Sequence, residues 1–328
     1  MNELPRGDRT LDPSSTVRSV RITTGARLHF GLLDTRPPFG GLGVMIQQPV
    51  TEVVASRADR FDCPAEVAQR VIPIADRIRI AANLDAQPAC QLVVPKRIDS
   101  HCGLGSGTQL SLAVAEAICA VVGLAIDPEA LATVVAARGQ RSAIGIHGYA
   151  QGGLIFEHGT DPQRLNPVVA RVEVPDAWRV VVLRPAANVE QISGEQERDK
   201  FGQLATASPT QRSHLKTLAE QIVLAAKRCD FDAFAHHLHR YNYHSGRLFA
   251  AAQSGPYNGR QVTTLINELS QLGACGVGQS SWGPGVFAWF ATQHEAEQFV
   301  ARLPPTAQTI ALTKANNHPR QMASLDHF

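Results

Sequence analysis

Cys102-Gly103-Leu104-Gly105-Ser106-Gly107-Thr108-Gln109 is the stretch that decides how this chain folds. Upstream, Cys90-Gln91-Leu92-Val93-Val94-Pro95 reads as a short strand. Downstream, Leu110, Leu112, Ala113, Val114, Ala117, Ile118, Val121 and Val122 make a long apolar helix over about Thr108 to Val122. Strand, glycine-rich loop and helix in succession aim backbone N–H groups and the positive end of a helix dipole at one small volume. Side chains would block that approach, so the site needs glycine. The hydroxyls of Ser106 and Thr108 could bind a phosphate oxygen or a magnesium ion. A glycine turn with a Ser or Thr N-cap is the plain alternative. The density of glycines and hydroxyls favours an anion cradle. No lysine follows Gly107, so this is not the nucleotide P-loop.

Working outward, Val17–Thr24 and Arg27–Leu33 read as strands. A Pro-Pro/Gly-Gly turn follows at Pro37, Pro38, Gly40 and Gly41, then strands at Gly43–Gln47 and Val50–Ser56, broken at Pro49. From Ala65 to Asn83, Val67, Val71, Ile74, Ile78 and Ala81 recur at helical intervals. Asp127-Pro128-Glu129 is a helix start, and Gly148 to Glu157 reads as a strand after a glycine-rich turn. A polar, proline-containing stretch from Pro162 to Asp176 marks a domain boundary. The second half opens with a buried-type strand, Trp178–Leu183. It turns helical over Pro209–Leu272 and ends strand (Val286–Ala291), helix (Gln293–Arg302), strand (Thr309–Thr313), the pattern of an α/β plait. The expected division is a flexible segment over 1–16, an N-terminal domain over 17–172 and a C-terminal domain over 173–328.

Composition narrows the class. The chain has 328 residues, 44% apolar and 18% charged, with net charge +2, as ordinary globular proteins have. Nothing here invites nucleic acid or an acidic membrane surface. The six cysteines are scattered without a C-x-x-C pair, which fits reduced cytosolic thiols better than a disulfide framework or a zinc site. No run reaches the roughly 18 apolar residues of a membrane span. A soluble, cytoplasmic protein acting on small molecules is expected, with no nucleic-acid or membrane partner.

Three motifs fall in one order: Gly25-Ala26-Arg27-Leu28-His29-Phe30-Gly31-Leu32-Leu33-Asp34, the central G-L-G-S-G-T, and the late loop Gly276-Val277-Gly278-Gln279-Ser280-Ser281-Trp282-Gly283-Pro284-Gly285. Together they resemble the GHMP superfamily of small-molecule kinases. Within it the β-ribofuranosylaminobenzene 5′-phosphate synthase family is most similar, through A-R-L-H-F, His101 to Gln109, and Arg141 to Gly153. The resemblance covers about residues 18 to 318. It implies an α+β, two-domain fold, with an N-terminal α/β domain carrying the phosphate loop and a C-terminal α/β plait. It also implies Mg²⁺ and a homodimer. The implied reaction joins phosphoribosyl pyrophosphate to 4-aminobenzoate or 4-hydroxybenzoate and releases pyrophosphate and CO₂, a first step towards tetrahydromethanopterin.

One departure bears on activity. Mevalonate-kinase-like members carry an aspartate where Gly145 stands here, and glycine cannot activate an acceptor hydroxyl. Asp99 stands where related loops often carry proline, and a carboxylate there could face the metal.

On this basis the backbone of Gly103, Leu104, Gly105, Ser106, Gly107 and Thr108 is expected to hold pyrophosphate, with the Ser106 and Thr108 hydroxyls as metal ligands. Arg27 and His29 alternate with Leu28 and Phe30, so both should leave one strand face, towards a phosphate or carboxylate. Arg27, His29 and His101 are the candidate catalytic residues. Arg141, Ser142, Gln279, Ser280 and Trp282 are expected to bind substrate, Trp282 by covering the aromatic acid. Arg138 could add a phosphate contact, although helical arginines are usually surface residues. His236, His237, His239 and His244 lack an acidic partner at metal-binding spacing and read as a solvated or partner-facing helix. Lys314 and Asn316 follow the last strand with no assigned role. The competing functions are an ATP-dependent GHMP kinase, against which Gly145 speaks, and a ligand sensor on the same scaffold.

Overall fold

A computed structural model describes residues 17–187, 189 and 194–325; the expected flexible segment 1–16 lies outside them. The first sheet is built on two long strands, β1 (Ser19–Leu32) and β2 (Gly41–Arg57). Four shorter strands were expected, but bulges absorb the breaks. Pairing passes from Gly25↔Val50 to Ala26↔Ile46 and skips the residues around Pro49, which has no N–H to give a ladder. Helix α1 (Ala65–Ala81), strand β3 (Cys90–Lys96) and helix α2 (Ser106–Val122) follow. α1 and α2 bury their apolar faces in one cluster that includes Val71, Ile74, Ile78, Val114 and Ile118. The Asp127 side chain caps the short α3 (Pro128–Ala130), which runs into a π-helical turn, Leu131–Val135.

Residues 148–157 do not form one strand. Helix α4 (Ile144–Gln151) occupies the first part, and β4 spans only Leu154–Glu157. Ile144, Gly145, Gly148 and Tyr149 are buried at helical spacing. Gly148 is needed for close packing, since a Cβ there would lie 2.6 Å from the Met45 sulfur. Strand β5 (Val168–Val172) completes this part.

The second half contains β6 (Arg179–Pro185), α5 (Gly194–Gln203), α6 (Pro209–Lys227), α7 (Phe231–Arg247), α8 (Ala250–Gln253) and α9 (Gly259–Gln271). It ends with β7 (Gly276–Gln279), β8 (Val286–Phe290), α10 (Gln293–Val300), β9 (Ala307–Thr313) and β10 (Gln321–Ser324). Ser208 with Gln211 and Thr292 with Glu295 form capping boxes that fix the starts of α6 and α10.

The second sheet runs β7-β8-β6-β9, antiparallel throughout. Its apolar run is continuous because both faces are covered. Val180 and Val182 face a core shared with Phe30, Phe156 and helices α6 and α7, whereas Val181 and Leu183 pack with α9 residues Leu265 and Leu269. The shared core joins the two sheets. The first sheet runs β10-β1-β2-β4-β5, with β3 also on β2. The sheets therefore part between β5 and β6, but β10 crosses back to pair with β1. That return lies beyond anything the boundary at 172/173 anticipates.

Candidate active site

The three glycine-bearing segments meet backbone to backbone. The Arg27 N–H donates to the Leu104 carbonyl (2.9 Å), and the Ser281 N–H donates to the His29 carbonyl (3.0 Å). Ser280 Oγ accepts from the His29 N–H (3.0 Å) and donates to the Gly103 carbonyl (2.7 Å). A side chain on Gly103 would collide with the Ser280 carbonyl, and one on Gly285 with the Cys102 carbonyl. Asn242, on α7, fastens the other side. Its Nδ2 donates to the carbonyls of Phe30 (2.7 Å) and Gln279 (2.8 Å), and its Oδ1 accepts from the Gln279 N–H (2.8 Å). β1, the glycine-rich loop at 102–107 and the late loop are thus fixed as one unit.

Beside this junction lies a cavity of about 330 Å³. One wall carries Arg27, His29, Thr108, Arg138, Arg141 and Ser142. The lining also carries aromatic rings: Trp282 stands edge-on to Phe201 and Phe249, with ring centres 6.0 and 5.1 Å away. The Arg141 guanidinium lies 4.5 Å over the Phe201 ring. No aspartate or glutamate lines this cavity among the described residues.

Behind the cationic wall runs a buried polar chain. His29 Nε2 lies 3.3 Å from Ser142 Oγ, and the Ser142 hydroxyl bonds to the carboxyl of Glu157. Glu157 is fully buried, and its two oxygens accept the Ala143 N–H at 3.1 and 2.8 Å. Burial pushes the Glu157 carboxyl up to about 8, against the opposing pull of Ser142, Ala143 and Arg27. Burial and the neighbouring Arg27 charge hold His29 well below the ordinary histidine range, so the imidazole is neutral at pH 7.

The expected site residues divide into distinct roles. Arg27, His29, Thr108, Arg141, Ser142, Gln279 and Trp282 line the one cavity. Ser280 is fully buried, its hydroxyl spent on the junction. Gln279 is bracketed too, accepting from the Asn258 N–H (2.6 Å) and donating to the Ser281 carbonyl (2.8 Å). His101 is exposed and does not line the cavity, and Leu104 belongs to the hydrophobic core. Gly105 adopts φ +74° at the start of α2, where no side chain caps the helix. The Thr108 and Gln109 N–H groups bond the Gly105 carbonyl (3.0 Å each), which leaves those of Ser106 and Gly107 for a ligand. Ser106 and Thr108 are half-buried, and their hydroxyls make no hydrogen bond to the described residues.

Asp99 is exposed, and Lys314 pairs with Asp176. Asn316 pins the crossing segment, its N–H to Met45 and its carbonyl from Gly153. In the histidine cluster, His239 bonds the Val277 carbonyl and His244 meets His214 edge-on. No group of three or more metal-binding side chains occurs among the described residues.

The magnesium ion implied by the resemblance does not fit as a resident of this site. Two neutral hydroxyls, with no carboxylate lining the cavity among the described residues, are a poor set for a hard divalent cation. Motif reading missed Glu157 and Asn242. A lone carboxylate ending the apolar Leu154-Ile155-Phe156-Glu157 run was the available signal for the first; Asn242 sits in an ordinary helix and gave none.

Comparison with known proteins agrees with this architecture. The description "GHMP kinases N terminal domain" matches residues 69–154 and "GHMP kinases C terminal" matches residues 222–307. Together they span more than half of the chain, which belongs to the GHMP kinase superfamily. It is 28% identical over 293 residues to the β-ribofuranosylphenol 5′-phosphate synthase of Archaeoglobus fulgidus, covering 82% of this chain and 87% of that protein. The synthase of the same name from Methanothermobacter thermautotrophicus is 26% identical, covering 81% and 87%. Among solved structures, homoserine kinase from Cytophaga hutchinsonii superposes with a TM-score of 0.68 at 16% identity, covering 96% of this chain and all of that one. Mevalonate-3-kinase from Thermoplasma acidophilum gives 0.64 at 12%, covering 94% and 99%.

Proposed function

We propose that this protein condenses phosphoribosyl pyrophosphate with a 4-substituted benzoate, releasing pyrophosphate and CO₂. The observation that carries the proposal is a cavity that pairs three arginines with aromatic rings and has no lining carboxylate among the described residues. Two anionic reactants and a flat ring suit such a cavity. A phosphoryl transfer to a hydroxyl is served poorly, because a glycine stands at 145 where related kinases carry their base.

The chemistry matches these groups. The anomeric carbon–oxygen bond of the donor breaks and pyrophosphate leaves with the electron pair. The ring carbon bearing the carboxylate attacks the anomeric carbon, and the ring then recovers its aromaticity as the carboxylate departs as CO₂. No carboxylate base is required. The arginines hold the anions in register, and Trp282 with Phe201 and Phe249 excludes water from the cationic centre. Neutral His29 shares a hydrogen bond with Ser142 through Nε2, and its Nδ1 is the atom we assign to the proton of the acceptor's 4-substituent, whose removal raises electron density at the attacking carbon. Magnesium would arrive on the pyrophosphate, as part of the substrate. The name shared by the relatives supports a phenol product and hence 4-hydroxybenzoate as acceptor; 4-aminobenzoate is the alternative.

Release of labelled CO₂ from each carboxyl-labelled benzoate, given phosphoribosyl pyrophosphate and magnesium, is the test. Release with either acceptor supports the proposal. No release above a protein-free blank, together with ADP formation from ATP and a hydroxyl substrate, would establish a kinase instead.

A further inference from the structure

Arg70, on α1, and Arg138, just past the π-helical turn, close on the first turn of α2. A Cβ added to Gly107 would lie 2.9 Å from Nη1 of Arg70, so the guanidinium sits directly over that turn. Arg138 donates from Nε (3.2 Å) and Nη2 (2.8 Å) to Ser111 Oγ. That hydroxyl is itself committed to the Gly107 carbonyl (2.8 Å). Arg138 is thereby pinned in the cavity wall beside Thr108.

The two guanidiniums are half-buried and have no paired counter-charge among the described residues. Among the described residues neither forms an ion pair, Arg138 bonds only Ser111, and Arg70 makes no hydrogen bond. Burial, with Arg70 and Arg77 nearby, lowers the Arg138 pKa to about 10. Half-buried like charges without a paired carboxylate of their own repel one another and are destabilising. A bound anion removes that cost, and the uncapped N–H groups of α2 lie beside the pair.

We propose that Arg70 and Arg138 form a guanidinium clamp for a diphosphate group seated on the first turn of α2, so that the chain's own side chains supply the counter-charge. Two arginine forks suit the adjacent phosphates of a diphosphate. The clamp rests on the proposed function only for the identity of its ligand, the leaving pyrophosphate. Its test needs no turnover, so it stands or falls separately from CO₂ release.

Inorganic pyrophosphate is titrated calorimetrically into the wild type, Arg70→Gln and Arg138→Gln, with a chelator present to remove divalent ions. Binding by the wild type, weakened about tenfold or more in each variant, is expected for charge-assisted contacts. Without ligand, both variants should melt at or above the wild-type temperature, since each relieves like-charge repulsion. Arg138→Lys, which keeps the charge but not the fork, should bind with intermediate affinity. ADP titrated in parallel should bind no more tightly than pyrophosphate. The clamp is refuted if the wild type binds pyrophosphate only when magnesium is added, or if either Gln variant binds like the wild type. It is also refuted if the variants melt several degrees lower with unchanged affinity, the mark of a structural role. ADP binding more than tenfold tighter than pyrophosphate would overturn the assignment to a leaving pyrophosphate.

Discussion

Replacing Glu157 with glutamine should change how stability depends on pH. Glu157 is fully buried at the end of β4. Ser142 and Ala143 face it from the segment before α4, Arg27 from β1 and Tyr241 from α7. Burial raises its carboxyl from the ordinary 4.5 to about 8. The folded protein therefore holds this proton more tightly than the unfolded chain does. The resulting stability is fully present below about pH 4.5, is lost as pH rises towards about 8, and stays lost above it. At about 1.4 kcal/mol per pH unit, that interval corresponds to at most about 5 kcal/mol.

Glutamine has nearly the same shape, can still accept the Ala143 N–H, and does not titrate. The melting temperature of Glu157→Gln, minus that of the wild type, should therefore rise between pH 5 and pH 9. A few degrees per kcal/mol gives a rise of order 5–10 °C. Scanning calorimetry of both proteins at matched ionic strength measures it. A difference that stays constant across the range, or falls, would refute the assignment of a proton to Glu157 at neutral pH.

Arg27→Ala should weaken substrate affinity about tenfold or more, with Arg27→Lys a partial rescue because the fork is lost; unchanged saturation curves for both substrates would remove Arg27 from the site. Asn242→Ala deletes three buried bonds joining α7 to β1 and the late loop, and urea denaturation should show a loss of about 2–4 kcal/mol. A loss below about 0.5 kcal/mol would mean that water replaces the amide. Gly105→Ala places a side chain at φ +74°, where the new Cβ would lie 3.1 Å from Arg27 Nε. Strain of about 1–2 kcal/mol is expected, with a larger fall in turnover than in stability because Arg27 must move; equal losses would mean the glycine serves folding alone.

How much of the site was legible varies with the kind of signal. Arg27 and His29 could be placed together because strand geometry is local and their neighbours Leu28 and Phe30 go to the core. Thr108 and Trp282 were found through glycine-rich segments whose backbone demands are visible in composition. His101 sits beside the same loop, yet its backbone takes φ +61° and its side chain is exposed. A one-residue change in loop direction decides that, and no pattern encodes it. The start of α4 was misread because Gly145 and Gly148 look like turn residues. Their role is close packing, on Thr108 and on Met45 respectively.

The sequence by itself determined most of the order of strands and helices, the strand, glycine-rich loop and helix unit around residues 102–109, and the two-domain class. Those follow from periodicity, from capping residues, and from glycines needed within a few residues of where they stand. The tertiary structure alone decided which side chains share a cavity and what charge each carries there. Asn242 meets the Phe30 carbonyl across 212 residues of sequence, and Arg138 gathers with Arg70 and Arg77 of α1. Glu157 keeps its proton only because β1, α7 and the segment before α4 together exclude water from it. Burial and electrostatics sum over every element packed around a group, and that sum exists only once the chain has closed on itself.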